Sequence, residues 1–104
     1  MLSRHPRHPV QLPVRFTGDH DGEGIVTNLS LGGCQIEQTD TRIERHAVLT
    51  LNVYLSPQDL PVTLEVAVVR WSAELACGVE FFTMTLEAQQ RLVRYIAGPA
   101  LTQT

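Results

Sequence analysis

Apolar and polar residues alternate along most of the chain, in short runs broken by glycine, proline and acidic residues. A period of two is what a strand produces when one face is buried and the other wet. Val14 and Phe16 alternate with Arg15, and the polar stretch 18–24 then reads as a turn. Residues 24–28 form a short strand candidate, residues 28–33 a second turn, and residues 33–37 resume the alternation. In 47–54, Leu49, Leu51 and Val53 oppose Val48, Thr50 and Asn52, while Ser56-Pro57-Gln58-Asp59 is turn chemistry. Residues 62–71 and 76–82 read as two more strands. Short strands at this regular spacing predict a closed barrel or sandwich of about six strands.

The two ends break the pattern. Pro6, Pro9 and Pro13 fix φ, remove N–H donors and push the residues before them toward extended geometry, so residues 1–13 are expected to be a flexible arm. Near the other end Thr85 can cap a helix and Glu87 suits the positive end of its dipole. Leu86, Leu92, Val93 and Ile96 recur at helical spacing, and Gly98-Pro99 supplies the stop. The expectation is an all-β barrel domain over 14–104, closed by one amphipathic helix over about 85–97, whose apolar face packs on the barrel or on a partner.

Composition narrows the class. The 104 residues suit one domain, with 43% apolar and 18% charged residues, as in an ordinary folded domain. The longest apolar runs, such as 66–69, are far too short to span a bilayer, and no apolar stretch follows the first charges as in a signal peptide. No membrane insertion and a cytoplasmic location are expected. A net charge of -3, with eight arginines, no lysine and eleven acidic residues, argues against a general nucleic-acid binder but not against a site for one small anion. Cys34 and Cys77 form no Cys-x-x-Cys pair and read as small buried thiols. No metal-ligand spacing, acid–base constellation or phosphate-cradling loop is present, so neither an enzyme nor a cofactor is expected. The acidic run Asp19-His20-Asp21-Gly22-Glu23 lacks a calcium-loop pattern and reads as a solvated hairpin.

Two short motifs carry chemistry. Arg4-His5-Pro6-Arg7 places two guanidiniums on a proline-stiffened arm, and an arginine fork fits phosphate oxygens, the O6/N7 edge of guanine and ring faces. Asn28-Leu29-Ser30-Leu31-Gly32-Gly33 offers amide and hydroxyl groups beside glycines that allow close approach. Leu29 and Leu31 are expected to point inward. His5 and His8 lie near enough to the arm's arginines to make anion binding pH-sensitive, or are plain loop histidines.

Together these motifs resemble the PilZ family, which carries Arg-x-x-x-Arg followed by Asp/Asn-x-Ser-x-x-Gly. Asn28, Ser30 and Gly33 match the second motif in full. The flanks are similar too: Leu12-Pro13-Val14, Val68-Val69-Arg70-Trp71, Cys77-Gly78-Val79-Glu80-Phe81-Phe82 and the closing Arg94-Tyr95-Ile96. The first motif departs from the family pattern. Arg7 takes the place of its second arginine, Ser3 stands where the first belongs, and Arg4 sits one residue late.

The resemblance implies a six-stranded antiparallel barrel with a C-terminal helix and, in many members, binding of cyclic diguanylate (c-di-GMP), often as an intercalated pair. It assigns Arg4 and Arg7 to guanine edges and phosphates, Asn28 and Ser30 to hydrogen bonds from the barrel surface, and Gly33 to space or to a backbone conformation that side chains forbid. Arg70 and Trp71 are further candidate contacts, although Trp71 is read first as a core anchor at the barrel–helix junction and Arg70 equally as a solvated strand residue. The function implied is a stand-alone receptor whose ligand orders the arm and so signals to an effector protein not named by the sequence, with a homodimer left open. The alternative is an adaptor of the same fold that has lost the nucleotide and works by protein contacts in pilus or flagellar machinery, a reading that the serine at position 3 favours.

Overall fold

The computed structural model describes residues 6–98. Ser3, Arg4, His5 and the segment 99–104 lie outside the described residues. Six strands, β1 (His8–Gly18), β2 (Gly22–Leu29), β3 (Gly33–Glu37), β4 (Val48–Val53), β5 (Val62–Ala73) and β6 (Ala76–Thr83), are followed by one helix, α1 (Leu86–Ala97). They close into a barrel in the order β1-β2-β3-β6-β5-β4, with every pairing antiparallel. The expected fold class is therefore the observed one.

The interior is filled from every strand: Phe16, Val26, Leu29, Ile36, Leu49, Leu51, Leu64, Val69 and Val79 are all buried. These are the apolar positions of the period-two pattern, and their partners on the outer face are polar or half-exposed. Leu29 is fully buried as expected, whereas Leu31 is half-buried and packs on the rim of the core.

The first correction concerns β1. It starts at His8, so residues 8–13 are strand rather than arm, prolines included. Pro9 lies opposite Asn28 and Pro13 opposite Ile25, with a register shift between Pro9 and Leu12. β4 pairs with β1 only from Val14 onward, so residues 8–13 have an edge without a ladder partner, where a missing N–H costs nothing. Pro13 still serves with its carbonyl, which accepts from the Tyr54 N–H at 3.0 Å.

The second correction concerns the helix. Its ends are as the sequence predicts: Thr85 Oγ1 accepts from the Ala88 N–H at 3.1 Å, Glu87 sits in the first turn, and the Gly98 N–H donates to the Arg94 carbonyl. The buried side chains, however, are Ala88 and Leu92, with Ile96 partly buried behind them. Leu86 and Val93, read as part of the apolar face, are exposed. The row at i, i+4, i+8 faces β5, and Leu86 and Val93, seven residues apart, lie together on one flank of it. Arg91 fixes the helix to the β4–β5 loop by donating to the carbonyls of Leu60 at 2.7 Å and Pro61 at 3.3 Å.

Candidate functional site

The turn between β2 and β3 is organised by Ser30. Its N–H donates to the Gly33 carbonyl at 2.9 Å, and its hydroxyl oxygen accepts from the N–H groups of Gly32 and Gly33, both at 3.2 Å. The same hydroxyl donates back to the Gly33 carbonyl at 3.2 Å. Ser30 is buried, and its hydrogen-bonding capacity is spent on this turn. Gly33 is needed for space, because a Cβ there would run into the Val79 carbonyl of β6.

Asn28 lies opposite Gln35 across β2 and β3. Its side-chain carbonyl oxygen is buried and has no hydrogen-bond partner. Gln35 donates to Glu37 at 2.6 Å, and Thr27 donates to the same carboxylate oxygen at 3.2 Å. An orphaned polar oxygen costs free energy that an arriving N–H donor would recover.

β5 and β6 form the facing wall. Their register shifts between Val69 and Trp71, which breaks the period-two alternation. Val69 points into the core, while the consecutive residues Arg70 and Trp71 both turn outward to the same cavity. This corrects the core reading of Trp71, whose side chain is 43% exposed. The indole lies over Gly78, its cross-strand partner, where any Cβ would collide with the ring. Arg70 is not a free solvated cation. Its Nε donates to Glu80 at 2.7 Å, and its guanidinium stands 5.3 Å from the centre of the Phe82 ring.

These groups meet around one open cavity of about 1000 Å³, lined by Arg7, Asn28, Ser30, Gly33, Gln35, Arg70, Trp71 and Glu80 among others. Arg7 sits just ahead of β1 and is exposed. Six of the seven residues singled out from the sequence line this cavity, and Arg4 lies outside the described residues. Gln35 and Glu80 were not singled out. Each is a polar residue between two apolar ones, Cys34 and Ile36 about Gln35, Val79 and Phe81 about Glu80, and that is the available signal.

Cys34 also lines the cavity. Burial pushes its thiol far above the ordinary range, Cys77 adds to the rise, and the Arg7 guanidinium draws it partly back. Burial likewise pushes Cys77 up to about 11. Both thiols stay protonated at neutral pH and are poor nucleophiles. Among the described residues, no group of three His, Cys, Asp or Glu side chains is placed to hold a metal ion.

A small closed barrel thus gathers an arginine, a polar turn and a half-exposed indole around one cavity. The PilZ domain model matches residues 2–98, and the chain belongs to the PilZ domain family, a c-di-GMP receptor family of non-catalytic receptor and adaptor domains. The fold is similar to that of the Bacillus subtilis inhibitor of motility MotI/DgrA, with a TM-score of 0.75 and 21% identity over 99% of this chain. The chain spans about half of that structure, 53% of its length. It is also similar to the PilZ domain of CeSA from a cellulose-synthesizing bacterium, with a TM-score of 0.69 and 15% identity over 91% of this chain and 98% of that one. No curated protein matches the sequence. Among the described residues, no helix is long and apolar enough to cross a membrane.

Proposed function

We propose that this PilZ domain binds c-di-GMP in the cavity between the β2–β3 turn and the β5–β6 wall, and passes the signal to a partner protein by ordering the residues that precede β1. The observation that carries this reading is the convergence of Arg7, Asn28 and Trp71, far apart in sequence, on one open cavity. Arg7 supplies a fork for phosphate or for the guanine O6/N7 edge. Asn28 brings a buried carbonyl oxygen that lacks a donor, and guanine carries N–H groups on its Watson–Crick edge. The indole of Trp71, exposed on the cavity wall, is a stacking platform for a purine. Ser30 acts one step removed, by holding the turn that positions Asn28 and Gly33. Arg4 is proposed as the second cation, reaching the site from one position late in the family motif.

The alternative is an adaptor that works without nucleotide. It is favoured by Ser3 in place of the first motif arginine and by the engagement of Arg70 with Glu80. The likeness to a motility inhibitor makes motility one process in which to seek the partner of either form.

Calorimetric titration of c-di-GMP into the protein, with GTP as control, separates the two. Receptor function requires saturable binding that Arg7→Ala weakens by about ten- to a hundredfold, the worth of one bidentate arginine contact. Absence of heat and of thermal stabilisation at high c-di-GMP rejects the receptor and leaves the adaptor.

A further inference from the structure

Arg70 and Glu80 lie within the proposed nucleotide site but have opposite relations to its ligand. The Arg70 Nε donates to Glu80 at 2.7 Å across β5 and β6, and the guanidinium also lies 5.3 Å from the Phe82 ring centre. Both side chains are about half exposed, at 48% and 50%, and both residues line the cavity. The bond runs through Nε, and among the described residues the two Nη groups meet no other acceptor. A phosphate entering the cavity would meet a cation already neutralised, and beside it a carboxylate of the ligand's own sign.

We propose that Glu80 is an electrostatic gate on this site: it holds Arg70 in reserve, and a phosphate of a dianionic nucleotide must draw that guanidinium away from it. The inference rests on the c-di-GMP reading given above. It follows from the chemistry of the pair. An exposed ion pair is worth little, so it breaks readily, yet it subtracts its own energy from any contact that replaces it. The Glu80 charge repels phosphate at the same time, a term of similar size at the dielectric of a half-exposed surface. Glu80 is thus a positioning residue that acts through Arg70.

The test is a double-mutant cycle by calorimetric titration of c-di-GMP into the wild type, Glu80→Gln, Arg70→Ala and the double variant, at low and moderate salt. Thermal midpoints confirm that each variant is folded. The gate requires that Glu80→Gln bind about three- to tenfold more tightly than the wild type, and that this gain disappear when Arg70 is alanine. Binding by Glu80→Gln where the wild type binds none also supports it, as a gate held shut. A purely structural role for Glu80 would lower the thermal midpoint without an Arg70-dependent gain. Unchanged or weaker binding by Glu80→Gln, beside a wild type that binds, overturns the gate and leaves the receptor standing. No binding by either protein overturns both.

Discussion

Ser30→Ala separates a residue that builds the site from one that touches the ligand. The hydroxyl accepts from two backbone N–H groups and donates to a carbonyl, all at 3.2 Å. Without it, the Gly32 N–H turns to water, since that residue is partly exposed, but the buried Gly33 N–H loses a partner. Leaving one buried donor unsatisfied costs about 1–3 kcal/mol, and the lost bonds are weak enough, at their lengths, to add little more. For a domain of this size the loss corresponds to a fall in Tm of roughly 5–20 °C. The assay is thermal and urea denaturation of both proteins, beside c-di-GMP titration below the variant's transition. Affinity should fall less than about tenfold, because the turn loosens while no ligand contact is removed. Asn28→Ala provides the contrast: it deletes an unpartnered buried oxygen, so stability should hold or rise while affinity falls. An unchanged Tm in Ser30→Ala, together with a large loss of affinity, would refute the turn assignment and make the hydroxyl a ligand contact.

Three further outcomes follow from the same packing. Gly33→Ala drives a Cβ into the Val79 carbonyl, a backbone atom that cannot swing aside, and should cost about 1–3 kcal/mol in urea denaturation; an unchanged midpoint would show that β3 and β6 can separate freely. Leu92→Ala empties the fully buried centre of the helix–barrel contact and should cost about 2–5 kcal/mol, whereas Leu86→Ala at an exposed position should cost little by the same measure. Stability should also fall in alkali. The buried thiols bind their protons more tightly in the folded than in the unfolded chain, so their contribution is intact below the ordinary thiol value of 9.0 and is lost as pH rises from there toward about 11 for Cys77, and beyond for Cys34. The slope approaches about 1.4 kcal/mol per pH unit for each thiol only above 9.0, and a Cys34→Ala, Cys77→Ala double variant should flatten the profile measured by urea denaturation between pH 8 and about 11.

The period-two pattern locates most of each strand, because a strand with one buried face alternates, but it misses residues 8–13 of β1 and the break after Val69. Helix α1 was legible at both ends, since Thr85 and Gly98 carry local cap chemistry that requires no distant partner. Asn28, Ser30 and Gly33 were legible as a motif, for their spacing in the turn is itself local. What the sequence could not decide was set by neighbours distant along the chain. The prolines of β1 pointed to a flexible arm, and only the reach of β4, whose pairing with β1 stops at Val14, leaves them an edge on which they are harmless. Trp71 looked like core, as a large apolar ring usually is. The register shift after Val69 turns it outward, and Gly78 on the next strand makes room for the ring. Arg70 became an ion pair rather than a free cation because β6 brings Glu80 within 2.7 Å. Alternation records which face of a strand is buried. It does not record which strand lies alongside, and the barrel's cavity is built from that second kind of information.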